Sequence, residues 1–340
     1  MKQLVEYDVG SDSTERYYGI DIIKFVCAFL VVAIHVAPFS EKAFSNANVL
    51  NFLFSQVLCR VAVPFYFAAS GFLLFRNMDD GKVDWTRIKK YCFKLLRLYG
   101  LWSVLLVVGG TGHLWYLGAT VLGVIGISLC FHWGIKLKAM TLLAVILYGV
   151  GLLGDSYYGF LEQLRSFVLI DYAVKGYEYI FQVTRNGLFM GIPFLLIGAV
   201  FAVKKVRMKP ALAATGLIVS VALLIAEAYT LEQHGMCRDH NMFLALLPVT
   251  FFLFALATCV VLPKSDRYEG MQIAGSLIYY THLLVFVGID FLFSVAAKYM
   301  GIDLYVYEFL ATVLVTLAAA VSLWKISRCN RFVWLQYLYR

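Results

Sequence analysis

Between Arg16 and Phe39 the chain reads RYYGIDIIKFVCAFLVVAIHVAPF, an apolar run long enough to cross a bilayer. Inside hydrocarbon a single segment must satisfy its own backbone, which only a helix does, so this run constrains the fold before anything else. It carries two ionisable residues, Lys24 and His35. Their separation of eleven positions corresponds to roughly 16 Å along a helix axis. Titratable groups at membrane depth are costly and mark functional sites by default. Lys24 is near enough to one interface to snorkel toward it. His35 lies deeper and is the first candidate for chemistry.

Runs of the same kind recur to the end of the chain. Hydropathy places about ten spans, at 20–39, 49–75, 95–110, 113–131, 139–154, 186–203, 211–229, 240–262, 272–296 and 304–325. With 61% hydrophobic and 15% charged residues, the composition excludes an ordinary soluble domain, in which about 25% are charged. The expected fold class is all-α, a polytopic integral membrane protein. Residues 1–15 are polar and lack an apolar leader core, so the first span is expected to serve as an uncleaved anchor.

The basic residues orient the spans. With the N-terminus in the cytoplasm, 21 of the 29 lysines and arginines fall on inner segments and six on outer ones, while Lys24 and Arg60 lie within spans. This asymmetry puts both termini in the cytoplasm and the protein in the bacterial cell membrane. The net charge of +8 is then a topology signal, and no nucleic-acid partner is expected. The chain reads as one membrane domain over 1–340, with a polar tail at 1–15, a cytoplasmic helix at 82–97 and a long outer loop at 155–185.

The helix at 82–97, KVDWTRIKKYCFKLLR, sets Trp85, Ile88, Cys92 and Leu95 on one face and Arg87, Lys90, Lys94 and Arg97 on another. It admits two readings: a surface anchor on anionic lipid, or a cationic collar for a phosphorylated cosubstrate. The outer loop, rich in tyrosine, suggests an interfacial or re-entrant piece. The seven cysteines show no CxxC or metal-ligand spacing, and only Cys237 is expected outside, so neither a disulfide framework nor a metal site is expected.

Polar residues within or beside spans form the candidate site. Lys24, Lys94 and Arg97 cluster toward the cytoplasmic side. His35 and Arg60 lie in the middle to outer bilayer, His282 near its centre, and His113 and Arg185 at the outer starts of spans. An imidazole is largely neutral at pH 7 and can take a proton from a hydroxyl attacking an acyl carbonyl, which suits His35. Arg60 precedes Val61-Ala62-Val63-Pro64, where the proline should break the helix and free backbone carbonyls. There Arg60 either holds an anion or pairs structurally with Glu227 or Glu308. His113 is split between an interfacial aromatic belt and a substrate contact, and His282 between packing and the site. His113, Arg185, Glu227 and His282 complete the candidate substrate-binding set. Ser70-Gly71 reads as a close helix contact. No HExxH, P-loop or GxSxG motif is present.

The chain resembles the membrane acyltransferase-3 family over essentially its whole length. GIDIIKFVCAFLVVAIHV is similar to the family's first helix, with Lys24 and His35 at the basic and histidine positions. RVAVPFYFAASGFLLF (60–75) resembles its second block, and KLLR (94–97) stands where an arginine-ended motif is usual. HLWYLGA (113–119) and SLIYYTHLL (276–284) resemble its remaining signatures. The resemblance implies acetyl-CoA or another acyl-CoA as cosubstrate, bound from the cytoplasm, with no permanently bound cofactor. It further implies a catalytic His35, with Lys24, Lys94 and Arg97 holding the donor, and a surface glycan or small hydroxylated acceptor. TRNGLFMGIPFLLIGA (184–199) and DHNMFLALLPVTFFLFAL (239–256) look more like the membrane half of vancomycin-resistance serine racemases. That likeness keeps open a carrier for a small amino acid such as L-serine. A chain ending at Arg340 is expected to lack a pyridoxal-binding racemase domain.

Overall fold

The computed structural model describes residues 17–39, 48–78, 82–106, 110, 112–181, 183–260, 262–263, 265–301 and 304–339. The polar tail at 1–15 lies outside them. Among the described residues every regular element is helical. In order they are α1 (Tyr18–Val36), α2 (Val49–Phe75), α3 (Trp85–Leu105), α4 (Gly112–His132), α5 (Leu137–Leu153) and α6 (Tyr158–Leu164). α7 (Val168–Phe181), α8 (Gly187–Lys204), α9 (Pro210–Gln233), α10 (Leu246–Cys259), α11 (Asp266–Met300) and α12 (Tyr305–Ile326) follow, with a 3₁₀ segment at Asn330–Leu338.

Seven of these helices, α1, α2, α4, α8, α9, α11 and α12, are long and apolar enough to cross a membrane. α5 and α6, bent by 72° at their junction, make an eighth if they count as one span. The protein is a multi-pass helical membrane protein. Two of the ten hydropathy segments fall short, each for a physical reason. The segment at 95–110 is continuous with the basic amphipathic stretch, so α3 carries Arg87, Lys90, Lys94 and Arg97 along its length. α10 has only 14 residues, because the chain before it is held outside the helix by side-chain contacts.

The tightest helix pair is α2 with α8. Gly71 lies on the carbonyl of Leu195 and Gly198 on that of Ala68, so a Cβ at either position would overlap backbone. Small residues permit this approach where lipid supplies no hydrophobic drive between helices. The expected contact at Ser70-Gly71 is thus made by Gly71, while Ser70 Oγ lies 3.2 Å from the Tyr116 hydroxyl.

Both members of the pair are irregularly wound at one end. α2 has a π stretch at Phe52–Val57 and a 3₁₀ turn at Leu58–Val61 before it becomes α-helical at Ala62. α8 begins with a π stretch at Gly187–Gly191. A proline follows each, Pro64 and Pro193. Pro64 has no N–H to give the carbonyl four residues back, which is that of Arg60.

Candidate functional site

At one end of the molecule α2, α3, α4 and α11 enclose a cavity of about 790 Å³. Lys24, Lys94 and Arg97, the expected donor-binding residues, all line it, together with Arg87 and Lys90. Five cations therefore face a single carboxylate, Glu269, on this wall. The sequence builds the wall from α3. Asp84 caps that helix by accepting from the Arg87 amide at 3.1 Å, and the Arg87 guanidinium donates to the Leu73 carbonyl at 2.5 Å. These bonds fix the start of α3 against the end of α2. The C-terminal segment closes the same cavity: Trp102 donates to the Leu338 carbonyl at 2.9 Å and stacks on Tyr280, and Tyr339 reaches the lining.

The inner wall is a cluster of tyrosines. The Tyr66 hydroxyl donates to the Lys24 carbonyl at 2.8 Å, and the rings of Tyr66, Tyr116 and Tyr279 lie within 6.4 Å of one another. Tyr279 ends the cavity and starts the next layer, its hydroxyl donating to the His113 carbonyl at 2.6 Å. Behind it stand three histidines from separate parts of the chain. Ring centroids are 5.0 Å apart between His113 and His282, and 5.2 Å between His282 and His35.

The hydrogen bonding of these rings is informative. His282 is fully buried, and its Nδ1 faces the carbonyls of Tyr279 at 2.9 Å and Ile278 at 3.2 Å. Carbonyls only accept, so Nδ1 donates to them, and in that tautomer the lone pair lies at Nε2. Among the described residues, Nε2 of His282 has no hydrogen-bond partner. Buried polar atoms of this kind call for water or a ligand.

Beyond His35 lies the arginine end. Arg60, only 7% exposed, donates from Nη1 to Asn241 Oδ1 at 2.6 Å and from Nη2 to Gln56 Oε1. Arg185 donates to the same Asn241 oxygen at 3.4 Å. The orientation of Asn241 is chemically forced. Its amide nitrogen faces Asp155 Oδ2 at 3.3 Å, while Asp155 Oδ1 accepts from the Asn241 and Met242 backbone amides, each at 2.9 Å. The amide oxygen is left for the two guanidiniums. Arg60 and Arg185 both lie in the electrostatic surroundings of His35, and Asp155 and Asp239 offset the charge of Arg60.

The structure thus brings together His35, His113 and His282 in one layer, Arg60 and Arg185 in the next, and Lys24, Lys94 and Arg97 at the cavity. Glu227 sits elsewhere. Its Oε1 accepts from the Leu244 amide at 2.6 Å and the Tyr157 hydroxyl at 2.8 Å, and its Oε2 from the Ala245 amide at 2.8 Å. These are the free donors at the start of α10, so Glu227 caps that helix from a neighbour and does not pair with Arg60. Glu308 shares a hydrogen bond with Asp290. Gln56, Asp155, Asn241 and Tyr279 enter the site without having been expected there. For Asp155 a signal existed, a carboxylate placed directly after an apolar run.

The long loop at 155–185 folds as α6 and α7 and is tied to the segment that carries Asn241. Glu178 accepts from the Tyr158 hydroxyl at 2.8 Å, from Arg165 at 2.5 Å and from Arg238 at 3.0 Å. Burial alone would raise the Glu178 carboxyl, but the Tyr158 bond and the two guanidiniums outweigh it and hold the group below its ordinary value of 4.5.

An amino-acid racemase of Enterococcus faecalis is 30% identical over 272 residues, 71% of this chain and 36% of the relative. A second from the same organism is 31% identical over 304 residues, 80% of this chain and 41% of the relative. A serine/alanine racemase of Enterococcus gallinarum is 32% identical over 268 residues, 70% of this chain and 36% of the relative. The matched region is therefore well under half the length of these relatives. No solved structure matches the chain. Residues 17–268 match the acyltransferase domain of the acyltransferase-3 family, and they include His35, Arg60, His113, Arg185 and Asn241 but not His282. The chain belongs to the acyltransferase-3 family.

Proposed function

We propose that the protein is an integral membrane O-acyltransferase that moves an acyl group, acetyl foremost, from cytoplasmic acyl-CoA to a hydroxyl of a cell-surface glycan. The observation that carries this reading is the five-cation cavity ending at Tyr279, with the histidine layer directly behind it. Ammonium and guanidinium groups suit the phosphates of CoA through charge-assisted hydrogen bonds. The thioester would reach His35 by displacing Tyr279. His35 takes the proton of the acceptor hydroxyl as its oxygen bonds to the thioester carbonyl carbon. The C–S bond then breaks, and the thiolate leaving with CoA receives the proton. Arg60 stabilises the oxyanion that forms in between, or orients the acceptor with Arg185. In this reading the basic cavity and both termini face the cytoplasm of a bacterial cell, with α3 and α10 adding to the apolar helices to make ten crossings.

The convergence of Arg60 and Arg185 on Asn241, and the racemase names of the relatives, favour one second reading. It is a carrier for a small amino acid such as L-serine, with the arginines on the carboxylate and His35 along the path. Membrane vesicles holding wild type or His35→Ala, supplied with radiolabelled acetyl-CoA and extracted surface glycan, separate the two. Acyl transfer predicts label in an alkali-labile ester with the wild type, reduced at least ~100-fold in His35→Ala. Release of no CoA by either protein, while wild-type vesicles accumulate labelled serine, would replace the enzyme with the carrier.

A further inference from the structure

Where α9 ends, the chain reverses within a few residues. The Met236 amide donates to the Leu231 carbonyl at 2.9 Å, and Gly235 takes a φ of 62°, the left-handed region that favours glycine. The reversal lays Cys237 and His240 against Glu232 in the last turn of α9. One carboxylate oxygen, the cysteine sulfur and one imidazole nitrogen all lie within 4.8 Å of one another. Among the described residues, this is the one such grouping of histidine, cysteine and acidic side chains.

We propose that Glu232, Cys237 and His240 bind one divalent transition ion of the zinc type, independently of which reaction or transport the protein carries out. Three features carry the assignment. A thiolate, an imidazole and a carboxylate are the mixed donor set that zinc accepts, and the sulfur disfavours the hard cations magnesium and calcium. The charges close as well: binding releases the thiol proton to solvent, and thiolate plus carboxylate then balance the two positive charges of the ion. Finally, contacts that do not involve the three donors hold the turn in place. The Gly159 amide donates to the Met236 carbonyl at 2.9 Å, and the Arg238 amide to the Asp155 carbonyl at 3.0 Å. One donor ring, that of His240, is in addition packed edge-on by Phe52 at 5.3 Å. His240 Nε2 already lies 2.6 Å from Glu232 Oε2, a distance that an inserted ion would open slightly.

Cysteine spacing alone conceals this set, because the pattern is E-x₄-C-x₂-H and crosses a helix end. Its consequence reaches the site, since the residue after His240 is Asn241, the partner of Arg60 and Arg185. An ion here clamps the loop that presents that amide.

Full-length protein in detergent, stripped with chelator and titrated with Co²⁺, tests the proposal by absorption. The expected result is a thiolate-to-cobalt charge-transfer band with tetrahedral visible bands, saturating at one ion per chain and displaced by Zn²⁺. Cys237→Ser should abolish the charge-transfer band, although six other cysteines remain. Absence of the band in wild type, or its persistence in Cys237→Ser, overturns the site and leaves a hydrogen-bonded turn. If Cys237→Ser loses its helical circular dichroism or elutes as aggregate, Glu232→Gln decides. At least a ~10-fold weaker Co²⁺ affinity supports the site, and unchanged affinity overturns it.

Discussion

Asn241 is a small neutral side chain, yet it holds together groups of opposite charge. It turns nitrogen toward Asp155 and oxygen toward Arg60 and Arg185, so one amide separates a buried carboxylate from two guanidiniums. Asn241→Leu removes both faces at once and leaves buried charges without their bridge. A loss of about 3 kcal/mol in stability is expected, read as a lower midpoint in thermal or denaturant unfolding in detergent. Asn241→Asp should be tolerated less well at neutral pH than at acid pH, because it sets two carboxylates against each other. Residues of this kind are hard to read from sequence. Lys24, His35 and Arg60 stand out because a titratable group in an apolar run is rare. Asn241 and Asp155 sit at or beside span ends, where polar residues are ordinary, and Gln56, within its span, carries no charge to mark it. Glu227 misled for the opposite reason: its charge was conspicuous, but backbone amides at the start of α10 use it.

At the scale of elements, the close crossing of α2 and α8 rests on two glycines. Gly71→Ala and Gly198→Ala each drive a methyl group into backbone of the other helix, so each should lower the unfolding temperature markedly. Gly118→Ala on α4 meets no atom within 4 Å and serves as the control, expected neutral or slightly stabilising. α7 has a different dependence. Its Glu178 is held below 4.5, so its ion pairs with Arg165 and Arg238 contribute above that pH and are lost as pH falls through the lower folded value. The unfolding-temperature gap between wild type and Glu178→Gln should therefore be present at pH 7 and close in acid below about 4.5. The pairs are partly exposed, so the gap will be small. Hydropathy located the helices well, because membrane-length apolar runs leave little choice of element. It could not separate the amphipathic α3 from a simple span, nor foresee that α10 would be 14 residues long, since Asp84 starts α3 locally while Glu227 caps α10 from a distant segment.

Across the whole molecule, polarity is graded: five cations at the cavity, a band of tyrosines, three histidines, then two arginines with their amide and carboxylate partners. If the cavity takes the phosphates of acyl-CoA, the affinity should fall as salt rises from 50 to 500 mM, as screening by mobile ions requires. Replacing Lys90 and Lys94 together by glutamine should weaken binding about tenfold, measured by calorimetry, and flatten that salt dependence. The order of the layers was legible in part, because helix direction alone sends Lys24 and His35 to different depths. Their lateral meeting was not, since it depends on which helices pack side by side.

The wide winding of α2 has a further meaning when considered as a record of descent. A π stretch such as Phe52–Val57 accommodates an extra residue that an α-helix of the same height would not hold. Deleting one residue there would let the helix close and turn everything before it by about 100° relative to Arg60. Asn51 and Phe52 would then turn away from the face that Arg60 keeps. The bearing of Asn51 and Phe52 relative to Arg60 thus rests on a single residue's worth of chain, a small step for a lineage to gain and an equally small one to lose.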